Sequence, residues 1–160
     1  MSTIPDAIIK EIELLTKQLD AALPELVAQR DRAAASAPVD LEALYELAWD
    51  ALNQSKMDEA LDRFVDLAIA APTDRRFQWG AALCLHHFGL IEDAARHYGI
   101  CYILDPSDAA CAYRIGECLE VRRLFDDARE AWSTALLLCE VPGANPEIRA
   151  LAHAGLDRLR

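Results

Sequence analysis

The sequence predicts an all-α array of three helical hairpins, preceded by a helical segment over residues 1–38 and closed by a helix within residues 143–160. Three observations carry this prediction. Blocks beginning at Leu41, Arg75 and Ala109 run in one register: Tyr45, Trp79 and Tyr113 coincide, as do Leu47, Ala81 and Ile115, and then the small residues Ala48, Ala82 and Gly116. The second half of each block repeats as well. Ala60, Ala94 and Ala128 are each followed four positions later by an aromatic, Phe64, Tyr98 and Trp132, and Pro72 and Pro106 mark the passage to the next block. Outside the blocks, Ile8, Ile12, Leu15, Leu19 and Leu23 at one end, and Ile148, Leu151, Gly155 and Leu159 at the other, recur at helical intervals.

In chain order, the first element is the amphipathic segment of residues 1–38, which Pro24 kinks or divides and which ends in the joint RDRAAASAPVD. Its apolar stripe must be covered. Two coverings are open: a cap folded onto the repeats, or a dimerisation arm in which Ile8, Ile12, Leu15 and Leu19 meet a second copy. Residues 39–142 then hold the repeats, at about 41–74, 75–108 and 109–142. The small residue in each first helix lets the two helices of a hairpin approach closely. Met57, Ile91 and Phe125 stand just before the acidic pairs Asp58-Glu59, Glu92-Asp93 and Asp126-Asp127, which suit the N-terminus of each second helix. Gly89 fills the intervening turn in the second block, where the third has Arg123. The last element starts with Asn145 as N-cap and Pro146 at the first helical position, and its apolar stripe makes it a solvating cap helix.

This pattern resembles the tetratricopeptide repeat, a helix-turn-helix unit of 34 residues whose copies stack into a right-handed superhelical solenoid. The fourth repeat position departs from it, with Leu44, Gln78 and Ala112 where the repeat favours Trp. In such an array the first helices line a concave surface suited to an extended peptide. That surface is expected to carry Tyr45, Trp49 and Leu52, then Trp79, Leu83 and His86, then Tyr113, Arg114 and Glu117. With Leu47, Ala81 and Ile115 filling the core, the aromatics are left as a ladder of peptide anchors in the groove. A clamp for a C-terminal carboxylate would need several Lys and Asn residues on the same helices, and Asn53 and Arg114 stand isolated there beside Glu46 and Glu117.

Composition narrows the functional class. Lys plus Arg is 16 against 27 for Asp plus Glu, so the formal net charge of -11 opposes a broad phosphate-binding surface and thus nucleic acid. Apolar residues at 53% exceed what an acidic disordered chain carries. No run is long enough to span a bilayer, and the acidic N-terminus MSTIPDAIIKEIELL is unlike a secretory signal, which points to the cytoplasm. The 5 cysteines form no CxxC pair, and Cys84, Cys101 and Cys118 occupy slots of small packing residues. Cys84, His86 and His87 lie close together, but His86 projects away from the face that Cys84 and His87 share and no third ligand follows, so neither a metal nor a nucleophile is expected. Glycine-rich phosphate loops, GxSxG and HExxH are absent. The sequence therefore predicts a binding protein without catalytic residues or cofactors.

Over about residues 40–140, the stretches LEALYELAWDALNQSKMDEALDRF, DRRFQWGAALCLHHFGLIEDAARHYGICYILDP and AYRIGECLEVRRLFDDAREAW resemble the class II chaperones of bacterial type III secretion, the LcrH/SycD group. The resemblance implies that the groove holds an extended Pro-x-Leu-x-x-Pro-like segment near the N-terminus of a hydrophobic translocator, keeping it soluble and secretion-competent. Tyr45, Trp49, Leu52, Trp79 and Leu83 would then form the pockets for its Leu and Pro side chains. It also implies a homodimer through the N-terminal segment. A tetratricopeptide scaffold or regulator of secretion that binds a folded protein through the same groove is the alternative.

Overall fold

The computed structural model describes residues 39–160, apart from 142 and 144, and within them seven helices follow one another as hairpins. The first hairpin is α1 (Leu41–Asn53) and α2 (Met57–Ala70), the second α3 (Arg75–His87) and α4 (Ile91–Leu104), the third α5 (Ala109–Val121) and α6 (Phe125–Leu138). A single helix, α7 (Pro146–Arg158), follows. Consecutive helices pack on each other throughout, and α7 packs on both α5 and α6.

Helix starts use two devices. At α3, α5 and α7 a side-chain oxygen of Asp74, Asp108 or Asn145 accepts a hydrogen bond from the backbone N–H two residues on, at 2.9, 2.7 and 2.9 Å. The second helices of the hairpins lack such caps and instead carry their acidic pairs in the first turn.

The turns inside the hairpins share a Schellman geometry. Lys56, Leu90 and Leu124 donate their N–H to the carbonyls of Ala51, Leu85 and Leu119 at 2.9, 3.0 and 3.0 Å, and the residue before each donates to the carbonyl three positions back. That preceding residue is left-handed in every hairpin: Ser55 at φ 61°, Gly89 at φ 73° and Arg123 at φ 61°. Only Gly89 adopts this conformation without a Cβ penalty. Arg123→Gly is therefore expected to raise stability by about 1 kcal/mol, read as a higher urea midpoint at unchanged slope. A lower midpoint would show that the Arg123 side chain contributes more than its backbone costs.

The core is a column of aromatics from the second helices. Phe64, Tyr98 and Trp132 are wholly buried, each against small residues. Phe64 sits among Ala48, Ala51, Ala60, Leu67, Phe77 and Ala81, while Tyr98 joins Ala82, Leu85, Ala94 and Cys118. Trp132 lies between two glycines: a Cβ at Gly116 would come within 2.4 Å of its indole, and one at Gly155 within 2.7 Å. Its Nε1–H donates to the Tyr113 carbonyl at 3.2 Å, so the polar edge of the ring is satisfied.

Two core expectations need correction. Leu47 was expected to fill the core beside Ala81 and Ile115, but it is 54% exposed. Its repeat position packs against the second helix of the preceding hairpin: Ala81 reaches the Phe64 cluster and Ile115 the Tyr98 cluster. The described residues contain no hairpin before the first. Along α7, Leu151 faces outward, and Ala152, Gly155 and Leu156 turn inward with Ile148 and Leu159, because Gly155 must meet the Trp132 ring.

At the fourth repeat position Gln78 makes a buried bridge between hairpins. Its amide nitrogen donates to the carbonyls of Ala68 at 3.3 Å and Pro72 at 3.0 Å, and its carbonyl oxygen lies 2.6 Å from His97 Nδ1. Burial holds the His97 imidazole below its usual pKa, against an opposing pull from Asp93. The neutral ring with hydrogen on Nδ1 fits this geometry. Gln78 thus satisfies two backbone carbonyls at the end of the first hairpin, which a Trp could not do.

Ile69, Ile103 and Leu137 occupy one repeat position near the ends of α2, α4 and α6, and are 74%, 77% and 65% exposed. Among the described residues no helix is long and apolar enough to cross a membrane.

Candidate functional site

A cleft of about 360 Å³ opens between the hairpins, and five helices contribute to it. Leu52 comes from α1, Met57 from the first turn of α2, Leu83, His86 and His87 from α3, Tyr98 from α4, and Arg114 and Glu117 from α5. Spacing on a helix explains the convergence: Leu83, His86 and His87 lie three and four residues apart on α3, and Arg114 and Glu117 are three apart on α5. The first hairpin supplies an apolar end. The third supplies a charged one.

Arg114 and Glu117 pair at 2.8 Å, and Glu117 also accepts a hydrogen bond from the Tyr113 hydroxyl at 2.7 Å. Burial and then that bond push the Tyr113 phenol up to about 12, so it remains a donor. His86 is held below its usual pKa, first by burial, with Arg114 adding to the effect and Glu117 opposing it. Near neutral pH this side of the cleft presents an uncharged imidazole beside a matched ion pair.

Tyr98 forms part of the cleft wall from beneath. The residue is wholly buried, its ring meets Trp79 edge-on at 5.3 Å and His86 at 6.0 Å, and its oxygen finds no hydrogen-bond partner among the described residues. Burial raises its pKa strongly, which leaves a neutral O–H donor. An unsatisfied buried hydroxyl costs about 1–3 kcal/mol.

Of the expected peptide-binding residues, the cleft brings together Leu52, Leu83 and His86. Tyr45 and Trp49 pack instead into the first core: Tyr45 lies 5.5 Å from the Phe77 ring and 6.2 Å from Phe64, and Trp49 meets Phe64 edge-on at 5.5 Å. The Arg76 guanidinium covers the Tyr45 ring at 4.9 Å and the Arg75 guanidinium stands 5.7 Å from the Trp79 ring. Tyr113 is only 4% exposed and belongs to the Trp132 core. The ladder of open aromatics is thus corrected to three half-buried rings and one buried one. Ile8, Ile12, Leu15 and Leu19 lie outside the described residues.

Met57 and Tyr98 were missed as cleft residues. Met57 reads as a helix start and Tyr98 as the aromatic of a core column; the hydroxyl that Phe64 and Trp132 lack was the available signal. Cys84, close to the histidines in sequence, is buried, with its thiol pushed up to about 11 by desolvation, so it stays protonated. Among the described residues no group of three or more His, Cys, Asp or Glu is placed to hold a metal ion. A larger hollow of about 540 Å³ lies between the start of α6 and the end of α7, but Arg129, Arg158 and Arg160 around it each pair with a carboxylate. It is a solvated charged surface.

No protein-family model matches the sequence, and no curated protein matches it. Solved structures do. SycD of Yersinia enterocolitica, a type III secretion chaperone in complex with a peptide of the translocator YopD, is 22% identical with a TM-score of 0.71, over 78% of this chain and 95% of that one. PcrH in complex with the chaperone binding region of PopD is 25% identical with a TM-score of 0.71, over 78% and 94%. PcrH from Pseudomonas aeruginosa, also 25% identical, has a TM-score of 0.69 over 77% and 93%. This chain shares the all-α fold of the type III secretion translocator chaperones of the LcrH/SycD group.

Proposed function

We propose that this protein is a cytoplasmic chaperone of type III secretion that holds an extended N-terminal segment of a hydrophobic translocator in the cleft, keeping it soluble until secretion. The observation that carries the reading is a cleft built by five helices, apolar at Leu52, Met57 and Leu83 and polar at His86, Arg114 and Glu117. An extended peptide can lay an apolar side chain into the Leu52–Leu83 end while polar groups of its backbone meet His86 and the Arg114–Glu117 pair. The complexes of SycD with a YopD peptide and of PcrH with the PopD region support the choice of partner. Release needs no chemistry, because moderate affinity lets another machine strip the segment away.

Titration with a synthetic Pro-x-Leu-x-x-Pro peptide from a candidate translocator tests this. Trp79, in ring contact with Tyr98, is expected to report saturable binding, and buried Trp132 to respond little. No binding across several candidates, or equal binding by a peptide with Leu→Asp, would reject the reading.

The exposed Ile69, Ile103 and Leu137 favour a second reading, a scaffold or regulator whose folded partner covers that row. Co-expression separates the two. A chaperone converts an insoluble translocator into a soluble complex, whereas a scaffold does not. A homodimer through residues 1–38 is also proposed: deleting residues 1–35 should turn a dimer into a monomer in solution, and a dimer that persists refutes the arm.

A further inference from the structure

We propose that a second pocket, separate from the cleft, receives an arginine side chain from a basic segment of a partner protein. A hollow of about 230 Å³ lies where α4, α5 and α6 meet, and none of its lining residues lines the cleft. Tyr102 of α4, Ala112 and Ile115 of α5 and Ala131 of α6 form its apolar part, and Asp127 and Glu130 of α6 bring two carboxylates to it. This site goes beyond the chaperone reading and does not rest on it.

The repeat explains why the hollow exists. One repeat earlier, the positions of Ala112 and Ala131 are held by Gln78 and His97. Those side chains meet at 2.6 Å and fill the space between the first and second hairpins, where Gln78 also reaches the carbonyls of Ala68 and Pro72. Between the second and third hairpins two methyl groups stand in their place, and the space stays open. The charges change in the same register. In the second hairpin Asp93 pairs with Arg96 at 2.8 Å. The third has Asp127 and Glu130 at those positions, and neither makes an ion pair among the described residues.

Relative to its neighbour, the third hairpin thus lacks both a filling side chain and a positive charge at one place. A guest with an apolar stem and a cationic head supplies both. Arginine suits the site better than lysine, because a planar guanidinium packs on an aromatic ring such as Tyr102 and offers several N–H donors to two carboxylates at once. The formal net charge of -11 draws a basic segment toward the chain, and the apolar floor then distinguishes this place from the other acidic helix starts.

The test is a methyl-detected NMR titration of the full chain with the blocked peptide acetyl-Ala-Ala-Arg-Ala-Ala-amide, run beside the same peptide carrying citrulline, a neutral isostere of arginine. The expected result is saturable shifts at the methyl groups of Ala112, Ile115 and Ala131, with the citrulline peptide at least roughly tenfold weaker. Glu130→Arg, at an exposed position, rebuilds the pair that Asp93 and Arg96 make one repeat earlier and should abolish those shifts. Ala131→His fills the hollow and should abolish them too, while a Pro-x-Leu-x-x-Pro peptide binds the cleft as before. Should Ala131→His fail to fold, Glu130→Arg and the shift map of the unaltered chain still decide. The absence of saturable shifts, equal binding by the citrulline peptide, shifts shared with the acidic starts of α2 and α4, or normal binding by Glu130→Arg overturns the proposal.

Discussion

Trp132→Ala is expected to lower stability by about 3–5 kcal/mol, the largest loss of any single truncation among the described residues. The ring is wholly buried and in contact with three helices: it belongs to α6, lies against Gly116 of α5 and is closed over by Gly155 of α7. Its removal empties the space that those two glycines exist to make, and it frees the Tyr113 carbonyl from the indole N–H. In a stacked array such damage stays near its origin, because each repeat contacts only its neighbours. Urea unfolding followed by circular dichroism should therefore separate into an early phase from the third hairpin and α7 and a later one from the first two hairpins. Gly155→Ala approaches the same site from the other side, by adding a Cβ within 2.7 Å of the ring. A Trp132→Ala loss below about 1 kcal/mol would mean that the two glycines close over the space, contrary to the packing described.

Leu83→Glu is expected to weaken peptide binding at least about 100-fold, equivalent to roughly 2.7 kcal/mol, while leaving helicity close to that of the unaltered chain. Leu83 is half-buried on α3 and lines the cleft beside His86, so a glutamate there has access to water in the free protein but meets the anchoring side chain in the complex. The same substitution at Tyr45 or Trp79 is expected to cost helicity as well as binding. Tyr45 packs against Trp49, Phe64 and Phe77, and Trp79 against Tyr98, so a carboxylate at either position enters a ring cluster. Thermal melts run beside the titrations distinguish the two classes. A Leu83→Glu protein that binds normally would move the site away from this cleft.

The repeat is where the sequence spoke most directly. Tyr45, Trp79 and Tyr113, or Phe64, Tyr98 and Trp132, show a period that only stacked helical hairpins satisfy, and Asn145-Pro146 announces the last helix. These are local or periodic signals, legible without knowing what touches what. Even the turn at Arg123, which lacks the expected glycine, keeps its left-handed backbone, since the bonds on either side of it require that conformation whichever residue stands there.

The faces of the helices were a different matter. A column of residues shared by three hairpins does not say which members lie between neighbours and which border a cleft, because the first hairpin has no described predecessor and the third has α7 instead of a fourth. That asymmetry exposes Leu47 while Ala81 is buried, and it encloses Tyr113 while Tyr45 and Trp79 stay half-open. It also decides that the Tyr98 hydroxyl is buried without a partner among the described residues, and that Gln78, where the repeat favours Trp, satisfies two carbonyls of the preceding hairpin. By itself the sequence determined the number of hairpins, their period and the acidic, helical character of the chain, since these follow from spacing and composition. Only the tertiary structure decided which side chains share the cleft and which are sealed into the core, because those depend on how unlike neighbours fill the space between successive repeats.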